Sequence, residues 1–357
     1  MLIYIILSLF LLITLEFSNY SKSQRKINID KFLYLFALLV LFLVSAFRDN
    51  QVGADTIIYE NYFEFICKNN IMTSFKELPF LEPGYVFINK FVSLFFLNNH
   101  AITFINSLLV IIFLNILVNK SSKNIILSIF LFVTLAFYQS SFNIVRSCYA
   151  AYIGMYAIEI FRTHKVKSIL LFILGVFVHK SILILLIVPL FEVIKLNKKN
   201  IKLFIVLIII LYAGLESFLP LISKYIPSSY NYYLLKSSEG VFEKIIILTL
   251  HISIVLFITH FIKNKKSLLD DNKRIIIYLI LEALFYMFSI KYSMFNRVGF
   301  LFSMYIIISI PNLLVLIEDN KKRLAISNIV IFICLLSFIV RLNINNIGST
   351  IPYICIL

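Results

Sequence analysis

Cysteine is scarce in this chain, and its four copies (Cys67, Cys148, Cys334 and Cys355) are scattered. That spacing excludes a cysteine metal site and argues against a disulfide framework. Charge is scarce as well: Asp, Glu, Lys and Arg make up 14% of 357 residues, with 33 basic against 18 acidic side chains. There is no Gly-rich nucleotide loop, no Asp-x-Asp sugar-nucleotide motif, no internal repeat, no low-complexity tract and no separate soluble domain. The first apolar stretch, 1–15, lacks both a basic n-region and a small-residue cleavage site, so it reads as a retained helix rather than a signal peptide.

What the chain has instead is apolar surface. Hydrophobic residues reach 61%, with 36 Phe and 20 Tyr. No soluble core of this size needs so much, whereas a bundle of apolar helices of ~20 residues does. Apolar segments fall near 1–15, 31–47, 84–97, 101–118, 124–140, 144–161, 168–192, 202–219, 243–262, 274–291, 298–317 and 324–341. The expected fold is therefore an all-α, polytopic integral membrane helix bundle of about 10–12 segments, a single multi-pass domain over 1–357.

The net charge of +15 would suggest nucleic acid in a soluble protein. Here the basic residues gather in short loops at 22–31, 120–123, 162–167, 196–202, 263–274 and 321–323, which is the positive-inside pattern and the better explanation of the charge. Two longer polar stretches, 48–82 and 220–242, then face outward.

The basic loops carry a parity constraint. Both 162–167 and 196–202 look cytoplasmic, yet a single apolar stretch, 168–192, separates them, with His179-Lys180-Ser181 at its middle. Two half-length helices, at ~1.5 Å per residue, each cross only about half of the ~30 Å hydrocarbon core. A broken or re-entrant pair with His179 at its turn satisfies both clusters. Non-helical backbone at such depth is tolerated where it lines a cavity or is buried in protein. The same count fails between 48–82 and 119–123, so one of the two short apolar segments there should also be re-entrant.

With this topology several ionisable residues converge on the outer side: Arg48, Asp49 and Asp55 after the second helix, Glu82 before Pro83, Arg146 at the start of 144–161, His179 with Lys180, and Arg297. Such groups are costly near lipid and usually face a bundle interior or an aqueous cavity. Each has a plainer reading. A helix-end arginine such as Arg146 or Arg297 is commonly a snorkelling anchor, and Asp55 after Gly53 could be a helix cap. His100, His164, His251 and His260 read as structural, and Glu159 and Glu282 as locally paired. His179 stands apart because the topology already requires a break there. The tyrosines of 220–242 (Tyr225, Tyr230, Tyr232, Tyr233) could stack on sugar rings.

These residues carry a resemblance. Phe47-Arg48-Asp49 running into Val52-Gly53-Ala54-Asp55 and Tyr59 resembles the "FR…VG.D…Y" motif of the EpsG-like branch of Wzy-type polysaccharide polymerases. Glu82-Pro83-Gly84-Tyr85 matches the family's next element. Arg146 with Ala150 and Ala151 matches a helix-opening arginine followed by small residues, Val178-His179-Lys180-Ser181 matches an "FHKS" element with Phe177 one place early, and Arg297 matches a late arginine. The five elements span nearly the whole chain in order. Ala54 departs from the Thr often found at its position.

The resemblance implies a GT-C-like architecture and a metal-independent membrane glycosyltransferase without cofactor, in the bacterial inner (plasma) membrane with its site facing the periplasm or exterior. Its donor and acceptor would be undecaprenyl-diphosphate-linked oligosaccharides, with membrane lipid and a chain-length regulator protein as further partners and no nucleic acid. The absence of nucleotide-sugar motifs agrees with a lipid-linked donor. A diphosphate needs its developing charge neutralised, for which arginine forks are suited: Arg146, Arg297 and Arg48, with Lys180. His179, Asp55 or Glu82 could accept the proton of the acceptor hydroxyl, with a phosphate contact slightly favoured for His179. Asp49, Gly53, Tyr59 and Tyr85 would bind sugar or shape the motifs. Two rivals are weaker. An O-antigen ligase usually has a larger late outward loop than 220–242, and a flippase or transporter would favour repeats and midplane charges.

Overall fold

The computed structural model describes residues 1–23, 27–193, 241–262 and 272–356, with a few positions between 203 and 214. Most of the expected outward loop 220–242, with its four tyrosines, and the basic loop 196–202 lie outside the described residues. Among the described residues the chain is all-helical, with sixteen α-helices and no strand beyond an isolated bridge between Arg48 and Cys355. It divides into two compact units, Met1–Ile182 with Lys321–Leu357, and Leu183–Asn320.

The first unit holds α1 (Leu2–Ser23), α2 (Ile27–Ala46), α3 (Thr56–Lys68), α4 (Ile71–Glu77), α5 (Pro83–Ser93), α6 (His100–Ser121), α7 (Ile125–Thr134), α8 (Phe137–Ser140), α9 (Val145–Ile160) and α10 (Lys165–Val178). The second holds α11 (Ile187–Val193), α12 (Val241–His260), α13 (Lys273–Lys291), α14 (Met294–Ser303) and α15 (Ile306–Val315). The last helix, α16 (Asn320–Asn345), brings the chain back to the first unit. Three apolar runs are long enough to cross a membrane, His100–Ser121, Met294–Val315 and Asn320–Ile344, and Leu2–Ser18, Ile125–Thr134 and Ile245–His260 are shorter apolar helices. The chain is a membrane protein.

The first unit is organised around α9. A helix that is hydrophobic on every side belongs in an interior, and α9 buries residues all round, from Val145 and Cys148 through Tyr152 to Ile160. Its small residues Ala150, Ala151, Gly154 and Ala157 let neighbours come close, and α6 and α10 pack on it. Ser168 of α10 donates to the Ala157 carbonyl at 2.6 Å, tying the pair together.

Two short helices fix the site. α10 has 14 residues, about 21 Å at 1.5 Å per residue and short of the ~30 Å core. It stops at His179, which turns extended (φ −157°, ψ 112°), and the chain continues as a 3₁₀ helix over Lys180–Leu186. The break thus falls where the charge pattern required one. α5 has 11 residues, and is shorter still. Pro83 opens it, pre-set for a first helical turn, and Gly84 lets it close on α10. A Cβ on Gly84 would stand 2.6 Å from the Phe177 carbonyl oxygen.

The stretch 48–82 is not an open loop, since α3 and α4 fill most of it. The Asn70 side chain caps α4 by accepting from Thr73 N at 2.8 Å. Lys90 of α5 donates to the Ile66 and Asn69 carbonyls at 3.0 and 2.7 Å, satisfying the C-terminal end of α3. In the second unit α12 and α13 are joined at one buried point, where His251 Nδ1 meets Glu282 Oε1 at 2.7 Å.

Candidate functional site

The first motif builds a rigid turn. Gly53 sits at φ +94°, the left-handed region open to glycine, and its N–H donates to the Ser349 carbonyl at 3.0 Å. A Cβ there would meet Thr56 Oγ1, Asn143 Oδ1 and Phe142 Cβ within 3.1 Å. Arg48 is buried: it donates to the Ser45 carbonyl and, at 3.0 Å, to Ser107 Oγ, with its guanidinium 4.4 Å from the centre of the Phe142 ring. Asp49 does not pair with it. The Asp49 carboxylate accepts from Gln51 N at 3.0 Å, and Asp49 N donates to the Ile354 carbonyl at 2.9 Å. Asp55 stands at the N-cap position of α3 without a side-chain cap bond, its N–H directed to Asn143 Oδ1 at 3.4 Å.

A second centre forms around Glu82. Its Oε2 accepts from Arg146 Nη1 at 2.8 Å, and its Oε1 lies 3.0 Å from His179 Nδ1 and 3.4 Å from the Lys180 backbone nitrogen. The imidazole is within ion-pair distance but off the hydrogen-bond direction, leaving Nδ1 without a directed partner. Arg146 Nε is also buried and unpaired. The guanidinium lies 5.1 Å from the Tyr85 ring centre and 5.8 Å from that of Tyr59, a cation held over two aromatic faces. Tyr59 donates to the Asn143 carbonyl at 2.9 Å, and the Tyr85 hydroxyl accepts from Asn106 at 3.1 Å. Burial pushes the Glu82 carboxyl pKa up, but the close approach of His179 and the charge of Arg146 outweigh it and hold the carboxyl below its ordinary value. Glu82 is therefore an ionised anchor for the Arg146 guanidinium and the His179 ring.

Thus Glu82, Arg146 and His179 meet, with Tyr59 and Tyr85 under the arginine and Lys180 next in the chain. Arg48, Asp49 and Gly53 belong to the neighbouring turn, and Arg48 has a separate set of partners. Arg297 lies exposed on α14 in the other unit. Beside Glu82 is a cavity of about 370 Å³, walled by Phe80, Leu81, Pro83, Ile173, Val176 and Phe177 with Glu82 and Lys180 among them.

Sequence reading missed several members. Asn143 joins the two centres: Oδ1 faces Asp55 N, its carbonyl holds Tyr59, and Nδ2 donates to the Gly348 carbonyl at 2.9 Å. Its signal was present, a polar residue three places before Arg146 at the mouth of an apolar helix. Tyr149, one turn past Arg146, is buried with an unpaired hydroxyl. His100 bridges Glu60 Oε1 at 3.0 Å and the Ala46 carbonyl at 2.7 Å. Both neighbours accept, so both ring nitrogens donate and the ring is a cation. No spacing in the sequence marks this 40-residue pairing.

A helical bundle with apolar runs of spanning length and a buried, charge-paired cluster at the ends of two shortened helices defines a membrane protein with an internal polar site. The EpsG family is the one whose sequence pattern it carries: the family's model matches residues 31–355, and the chain belongs to it. EpsG is a Wzy-like polysaccharide polymerase family. No curated protein and no solved structure matches the chain.

Proposed function

We propose that this protein joins oligosaccharide repeat units, each carried on undecaprenyl diphosphate, into a surface polysaccharide on the outer face of the plasma membrane. The observation that carries this reading is Arg146: Glu82 holds one arm of its guanidinium, while Nε stays buried and unpaired. A fork held on one side, with a buried donor still lacking an acceptor, is suited to a phosphate oxygen. Family membership supplies the polysaccharide chemistry.

In the reaction, the acceptor sugar hydroxyl attacks the anomeric carbon of the growing chain. The new C–O bond forms as the bond from that carbon to the diphosphate oxygen breaks, and the leaving electrons stay on undecaprenyl diphosphate. Arg146 and Lys180 neutralise that developing charge. Glu82, ionised and spoken for, is a poor proton acceptor and acts as the positioning residue. With its carboxylate at Nδ1, His179 is left with Nε2 to take the hydroxyl proton, and Asp55 serves the acceptor side. Arg48, Asp49 and Gly53 shape the turn that holds α3 and Tyr59.

The test is a reconstituted assay: purified protein and lipid-linked units, with no nucleotide sugar added. A ladder of lengthened glycans should form, and His179→Ala should lower turnover by about 10²–10⁴-fold with donor binding retained. A requirement for nucleotide sugar would refute the reaction. Lost donor binding in His179→Ala would instead make His179 a phosphate contact.

A further inference from the structure

The cavity beside Glu82 has a chemistry of its own. Its walls offer no hydroxyl or amide: Phe80, Leu81, Pro83, Ile173, Val176 and Phe177 are all apolar, and only Glu82 and Lys180 interrupt them. A sugar's hydroxyls need several hydrogen-bond partners, and this lining offers them only at Glu82 and Lys180. Its size, about 370 Å³, suits a small segment of ligand.

The cavity is also placed for a lipid. Ile173 and Phe177 belong to an exposed apolar strip of α10 that includes Ile169, Leu170 and Leu174. On a membrane protein such a strip suits contact with hydrocarbon, and the cavity lies along it. Its floor is fixed by the Gly84 approach to Phe177 and by the Phe87–Phe177 stack, with ring centres 6.0 Å apart. Its polar edge is shared with the charged cluster, because Glu82 lines the cavity and also anchors Arg146 and His179.

We infer that this groove between the Pro79–Pro83 segment and α10 is the seat of the first isoprene units of the polyprenyl chain, rooted at Lys180. The inference rests on the polymerase reading, which puts the diphosphate at the Arg146 cluster. In a polyprenyl diphosphate the branched chain is bonded directly to that group, so the hydrocarbon must begin where the phosphate ends. A glycerophospholipid sets a glycerol ester between the two and cannot bring its acyl chain as close to the cluster. Lys180 supplies the complementary charge at the junction.

The experiment places a benzophenone amino acid at Ile173, or at Leu39 on the exposed face of α2 as control, in the full chain reconstituted in phosphatidylglycerol vesicles containing undecaprenyl phosphate. The Ile173 probe should capture the polyprenyl lipid about tenfold more than the Leu39 probe, a preference of about 1.4 kcal/mol. Excess undecaprenyl diphosphate should compete it away, and Val176→Trp, which fills the groove, should abolish the excess. Equal capture at both positions, or capture of phosphatidylglycerol at Ile173, overturns the proposal. Labelling needs no turnover, so it separates the two claims. Selective capture in a protein that makes no polymer upholds the groove and refutes the polymerase, whereas polymer formation without selective capture refutes the groove alone.

Discussion

Arg146 donates to Glu82 at 2.8 Å across 64 residues of chain, joining the mouth of α9 to the N-cap of α5. Both side chains are largely buried, at 15% and 7% exposure, so each neutralises a charge the other could not leave unpaired. Removing one partner strands the other, at a cost of about 3–5 kcal/mol for a buried pair. Glu82→Gln and Arg146→Met should each lower the apparent unfolding temperature in detergent, and the double variant should lose less than the sum. Strictly additive losses would mean that the two side chains do not support each other.

Gly84 makes the close packing of α5 on α10 possible. Gly84→Ala would push a methyl to within 2.6 Å of the Phe177 carbonyl, and backbone cannot swing aside as a side chain can. The expected cost is about 1–3 kcal/mol, with polymer yield falling in step because Glu82 moves with the helix. Unchanged thermal stability and activity would show that α5 has room to spare.

The pH dependence follows from Glu82. Its pKa is held below 4.5 in the folded protein, so the stabilisation is present above 4.5 and is lost as pH falls through the lower folded value. Glu60, pushed up by burial but held below its ordinary value by its hydrogen bonds to His100 and Thr103, acts in the same window. Acid titration of the wild-type unfolding temperature should therefore drop below pH 4.5, and Glu82→Gln should flatten part of that drop. An identical acid profile in the variant would remove Glu82 from the account.

The break at His179 has a topological consequence. Reporter fusions at Lys165 and Lys199 should both report cytoplasm, as should Lys26, Lys265 and Lys322, with Lys68 outside. Opposite faces for Lys165 and Lys199 would make 168–192 a plain crossing and deprive His179 of its place at a turn.

The helices were legible because apolar runs and basic loops are local signals. The end of α10 at His179 could be read from charge parity, since two basic clusters flank one apolar stretch. The same count required one short segment between 48–82 and 119–123 without saying which, and α5, with 11 residues, is the short one. Pairings were harder, because a side chain's partner depends on how helices meet. Arg48 and Arg146 look alike in sequence, yet one is buried against Ser45, Ser107 and Phe142 and the other reaches Glu82. Gly84 stands in the sequence only as part of the Glu82-Pro83-Gly84-Tyr85 element, and the approach of Phe177 reveals its packing role. Glu282 read as locally paired, and its partner is His251 on the neighbouring helix, 31 residues away. Asn143 stood out as a polar residue at a helix mouth, but its role as a hub could not be read because its partners lie 84, 88 and 205 residues away.

The central claim is that Arg146 grips the leaving diphosphate with a planar fork rather than with charge alone. The direct measurement is glycan length produced by purified Arg146→Lys beside wild type at equal protein and equal lipid-linked substrate. The account predicts a rate about 10²–10³-fold lower, with single lipid-linked units accumulating, because an ammonium keeps the charge but cannot present two parallel donors. Wild-type polymer from Arg146→Lys would contradict it and reduce Arg146 to an interfacial anchor.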